Sequence, residues 1–105
     1  MGAIGLLEVH GYSVAMAAID SACKTADVTV AGIDANNPLL GDAARIPIVV
    51  QVKFCGDVSN VKAALEAGRQ AALKHNETSE ISTHLIANGA DGLQPLLKLG
   101  KVVRQ

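Results

Sequence analysis

The chain has 105 residues, 50% of them hydrophobic but only 2% aromatic, and a formal net charge of -1. Its core must therefore be built from Ala, Val, Ile and Leu, in one domain (1–105) large enough to close but small enough to gain from association. Lys and Arg are scattered and Tyr12 and Phe54 are the only aromatics, so the basic stripe and stacking platforms of a nucleic-acid surface are lacking.

No apolar run reaches the roughly 20 residues that cross a bilayer, and the start MGAIGLLEVHG carries no basic stretch of a secretory signal. A cytoplasmic location with no membrane partner is expected. Cys23 and Cys55 lie far apart and form no C-x-x-C pair, so both are expected to be packing residues.

Residues 3–9, AIGLLEV, are short and nearly all apolar, which predicts a strand covered on both faces, broken by Gly11. From Ser13, a candidate N-cap, Ala15, Ala18, Ile19, Ala22 and Cys23 recur at helical spacing to about Ala26. VTVAGI (28–33) predicts the second strand. Segment 34–47 holds Asn36, Asn37, Pro38, Leu39, Leu40, Gly41, Asp42 and Pro47, and regular structure is not expected across it. Loops of that length in small domains are commonly functional.

IVVQVKF (48–54) predicts the third strand, with Val50, Val52 and Phe54 on one face and Gln51 and Lys53 on the other. Asp57 is placed as N-cap of a second helix whose buried face carries Val58, Val61, Leu65, Gly68 and Ala72, with Lys62 and Glu66 paired outside. NETSE (76–80) is a polar turn before a fourth strand, ISTHLIA (81–87). A C-terminal tail (88–105) follows, with Asp91 capping a short helix over LQPLLKL that tolerates Pro95 only in its first turn.

The order β-α-β-β-α-β plus a terminal helix predicts an α+β, ferredoxin-like sheet with both long helices on one face. Because the strands are apolar on both sides, the other face is expected to be covered by neighbouring subunits or by the terminal segment.

Candidate chemistry is thin. Glu8, His10 and Asp20 have no serine, cysteine or second carboxylate at a telling spacing, and turn and interface hydrogen bonds are the favoured reading. Cys55, His75 and His84 include no close ligand pair, so no metal is expected. GDVSN lacks the glycines and the Gly-Lys-Ser/Thr of a phosphate loop and is a helix start. No catalytic residue is assigned and no enzyme is expected.

The phrases AIGLLEVHG, CKTADVTVAGI and CGDVSNVKAALEAGRQAA resemble the single-domain shell proteins of bacterial microcompartments, over roughly residues 3–87. The resemblance implies a homo-hexameric tile that meets other shell proteins of its compartment and whose central pore is lined by the loop between strands two and three, here Asn36 to Asp42. It matches Lys24 to the family's edge lysine and His84 to a frequent histidine of the fourth strand. Asn88 stands near the place where many relatives carry an edge arginine, so edge packing is expected to be weaker or differently made. The loop is longer than the usual short glycine-rich one. Some shell proteins hold an iron-sulfur cluster through a loop cysteine; 34–47 has none, and no cofactor is expected.

A ring of amides and backbone N–H groups from Asn36, Asn37 and Gly41 is expected to pass small polar or anionic metabolites over bulky apolar ones. The competing reading is a trimeric ferredoxin-like regulatory protein that binds a small molecule under its long loop, where Arg45 is the only cation.

Overall fold

The computed structural model describes residues 2–36 and 48–97. Its elements run β1 (Ala3–His10), α1 (Tyr12–Thr25), β2 (Thr29–Asn36), β3 (Val49–Gly56), α2 (Val58–Ala72), β4 (Ser82–Ile86) and α3 (Gln94–Leu97), with 3-10 turns at Thr78–Glu80 and Asp91–Leu93. The strands form one sheet in the order β2-β3-β1-β4, every neighbouring pair antiparallel. This is the expected ferredoxin-like plan.

The core lies between the sheet and the two long helices. Alternation along β1 and β3 turns Leu7, Val9, Val50, Val52 and Phe54 inward, each 0% exposed. Small residues bring the helices close: Ala15, Ala18 and Ala22 of α1 and Ala64, Gly68 and Ala72 of α2 are all buried. At Gly68 an added Cβ would lie 2.9 Å from Leu7 Cδ2 and 3.5 Å from the Ala18 carbonyl oxygen, so the helix approaches both neighbours closely here.

Several expectations shift. α1 starts at Tyr12 rather than after Ser13, with Gly11 in the cap position at φ 99°. That left-handed conformation turns the chain directly from strand to helix, and no side chain is needed as a cap. Residues 14–19, VAMAAI, are all apolar and leave the helical phase ambiguous; Val14 goes in, and Cys23, expected in the packing, is exposed. On α2, Ala64 joins the buried face while Val58, in the first turn, is 41% exposed. Asp57 occupies the expected cap position without a side-chain cap bond.

The expected Lys62–Glu66 pair is displaced by a better one. Arg69 forks onto Glu66 with Nε to Oε2 at 3.1 Å and Nη2 to Oε1 at 2.8 Å, and Gln70 Nε2 donates to Oε1 at 3.0 Å. A planar guanidinium matches two carboxylate oxygens as an ammonium cannot. The hydrogen bonds from Arg69 and Gln70 pull the Glu66 carboxyl down to about 2.

β2 runs on to Asn36, three residues past the expected end at Ile33, so residues 34–36, expected to be irregular, are strand. Asp34 and Asn36 look loop-like, yet Ala35 between them is buried, and the alternation is that of a strand with one wet face. The sheet face away from the long helices is partly covered by the tail. Leu97 is 9% exposed, and its carbonyl oxygen lies where a Cβ on Gly32 would be. A hydrogen bond from Gly89 N–H to the Gly2 carbonyl, 3.1 Å, ties the start of the tail to the residue just before the first strand.

Candidate functional site

The loop base is the end of the sheet where β2 stops and β3 begins. Register sets Asn36 opposite Val49 and Val49 opposite His10, so three strands finish in line. One step inward, Asp34, Gln51, Glu8 and Ser82 stand opposite one another across all four strands. Val50, Val52, Leu7 and Val9 fill the buried positions, so strand alternation puts this polar row on the face away from the long helices. Gln51 Nε2 donates to Glu8 Oε2 at 3.3 Å within the row.

Asp34 holds its own end of the strand: Oδ1 accepts the Ala35 N–H at 2.8 Å, and Oδ2 receives the Asn36 amide at 3.5 Å. Asn36, placed in the loop from sequence, is thus the exposed last residue of β2. Asn37, Pro38, Leu39, Leu40, Gly41 and Asp42 lie outside the described residues.

His10 and its surroundings close the same end from the other side. The His10 N–H donates to Asn76 Oδ1 at 2.8 Å, and Asn76 Nδ2 donates back to the His10 carbonyl at 3.1 Å. The next peptide donates from Gly11 N–H to the Ile48 carbonyl at 3.0 Å. His10 Nδ1 is 3.9 Å from Glu80 Oε2, and the turn carrying Glu80 is itself capped reciprocally by Glu77. Of the imagined acid-base group, Glu8 and His10 are two residues apart on one strand, whereas Asp20 pairs with Lys24 on α1.

The two expected edge residues are both exposed. Lys24 Nζ reaches Asp20 Oδ2 at 2.9 Å, one turn back on α1, with side chains 76% and 62% exposed. Such a pair is solvated and leaves the ammonium available to another partner. Asn88 follows β4 in an exposed bend. His84 is exposed on β4, its Nε2 3.3 Å from Ser82 Oγ. Burial pushes the Cys55 thiol up, away from the reactive thiolate.

Sequence reasoning placed Gln51 on the outer face but missed the polar row and Asn76. The row follows from register, which no single strand reveals, and Asn76 has its partner 66 residues away.

Comparison with known proteins supplies the context. Residues 3–89 match the BMC domain family. The chain is 34% identical over 97 residues to the carboxysome shell protein CcmK2 of Synechocystis sp., covering 92% of this chain and 85% of that protein. It is 32% identical to CcmK2 of Thermosynechococcus vestitus with 92% and 86% covered. Against the bacterial microcompartment shell protein PduK of Citrobacter freundii it is 28% identical over 90 residues, which cover 86% of this chain and 51% of PduK. The crystal structure of a microcompartments protein from Desulfitobacterium hafniense shares the fold at a TM-score of 0.70 and 22% identity, over all of this chain and 51% of that one.

Proposed function

Because the chain belongs to the BMC domain family, the shell subunits of bacterial microcompartments, we propose that it forms a cyclic homo-hexameric tile whose axial pore passes small polar metabolites. It is a structural protein of the shell and not an enzyme, as its carboxysome relatives are shell proteins. The compartment lies in the cytoplasm, and other shell proteins of the same compartment are its partners.

The observation that carries the pore reading is the alignment of Asn36, Val49 and His10 at one end of the sheet. The chain leaves the sheet at Asn36 and re-enters it at Val49 along this one edge, and a cyclic ring brings six such edges to its axis. Asn36 then supplies amide groups near the mouth. These amides favour small polar solutes over bulky apolar ones. Lys24, and Asn88 in place of the usual arginine, act at the tile edge.

The test replaces Asn36 and Asn37 by Phe and follows both native mass and solute passage. An intact hexamer with reduced passage is the expected result. Loss of the hexamer would place the two residues in the subunit interface and end their assignment to the pore.

A further inference from the structure

The ladder between β1 and β4 stops at Glu8 opposite Ser82, two residues before β1 ends. At His10 the chain beyond β4's start has already turned into the Thr78–Glu80 3-10 turn and offers no strand. The gap is filled by a side chain. Asn76, 5% exposed, accepts the His10 N–H and donates to the His10 carbonyl, the two hydrogen bonds that a paired strand residue would have made.

What this clasp holds extends past β1. With His10 fixed on one side, its other side faces Val49, and the next N–H, on Gly11, is bonded to the Ile48 carbonyl. Ile48 and Val49 are where the chain re-enters the sheet, and Val49 stands opposite Asn36, where the chain leaves it. We propose that Asn76 is a positioning residue for the loop base: by completing the sheet ladder at His10 it fixes the exit and return points of the 37–47 segment. The functional half of this rests on the pore reading, in which that edge shapes the passage.

A carboxamide meets the requirement at neutral pH, since one acceptor and one donor must face one residue's N–H and C=O together. In Asn76→Asp the carboxylate keeps the N–H but sets a negative charge against the carbonyl. Once protonated, the acid again offers a donor and an acceptor. That arrangement favours the neutral form, so the aspartate titrates above its ordinary value.

The test is amide hydrogen exchange on the full chain in its native assembly, for wild type, Asn76→Ala and Asn76→Asp. In Asn76→Ala the Gly11 amide is expected to exchange faster by roughly ten- to a hundredfold, while Phe54 and Val61 amides in the core change by less than about threefold. In Asn76→Asp, after correction for intrinsic exchange, Gly11 protection is expected to recover toward wild type as pH falls. An unchanged Gly11 rate, or a rise matched at Phe54 and Val61, would overturn the proposal.

Passage of a small against a larger polar solute is measured on the same preparations. A changed ratio with unchanged native mass is expected for Asn76→Ala, and an unchanged ratio would overturn the positioning role. If the wild type forms no ring, the pore reading fails by itself, and exchange still decides the clasp.

Discussion

Gly32 sits on β2 beside a register shift, opposite Lys53, and a Cβ there would run into the Leu97 carbonyl oxygen, with the Leu97 carbonyl carbon 3.3 Å away. The obstacle is backbone and not the end of a flexible side chain, so in Gly32→Ala the α3 segment must lift. Lifting re-exposes Leu97, now 9% exposed, at a cost of about 1.5–3 kcal/mol for a buried leucine. Alanine in a strand interior recovers about 0.5–1 kcal/mol relative to glycine. Burial wins, and a net loss of about 1–2 kcal/mol is expected, equivalent to a fall in Tm of about 5–15 °C for a domain of this size. Thermal unfolding at fixed protein concentration measures it, since assembly makes Tm concentration-dependent. A double-mutant cycle locates the loss: Leu97→Ala should destabilise the wild type by about 2 kcal/mol and the Gly32→Ala variant hardly at all. A Gly32→Ala protein as stable as wild type, with Leu97→Ala still fully costly in it, would refute the seating of the tail on Gly32.

Gly68→Ala gains about 1 kcal/mol of helix propensity but overlaps Leu7 Cδ2 at 2.9 Å, and overpacking costs about 1–3 kcal/mol, so a net destabilisation of about 1 kcal/mol in urea unfolding is expected. In a Leu7→Val background, which lacks that methyl, the same change should stabilise; no change of sign would deny the contact. Glu66 has its carboxyl lowered to about 2, so its contribution is complete above the ordinary value of 4.5 and is lost as pH falls toward about 2. Glu66→Gln should flatten the pH dependence of the urea midpoint in that window, and parallel curves for the two proteins would contradict the Arg69 fork. Lys24→Ala should leave stability within about 0.5 kcal/mol, because its ion pair is exposed, while reducing sheet formation seen by electron microscopy. Unaltered sheets would remove Lys24 from the tile edge.

Periodicity made most of the fold legible because the signals were local. Val50, Val52 and Phe54 alternate with Gln51 and Lys53 on β3, and the structure buries the first three at 0% exposure. Where local signals compete, the sequence misleads. Ser13 resembles a cap, but the turn is made by the backbone of Gly11, and six consecutive apolar residues conceal which side of α1 faces the core. Polar residues on the wet face of a strand read as loop, which cut β2 short at Ile33 instead of Asn36.

The candidate site was legible only as far as one chain segment can show it. Asn36 stands out by type and place and Lys24 only through the resemblance to shell proteins, whereas Asp34, Gln51, Glu8 and Ser82 become a row only when four strands are in register. Asn76, in a turn of polar residues, gives no sign in the sequence that its amide completes a sheet. Pairings distant along the chain are set by the closed fold and leave no periodic trace.

The central claim is a ring of six subunits around a pore. Light scattering of the purified full chain on a sizing column, with electron microscopy of the same peak, tests it most directly. The account predicts the mass of six copies and six-fold rings or sheets with an axial opening. A trimer or a smaller species without such rings would contradict it.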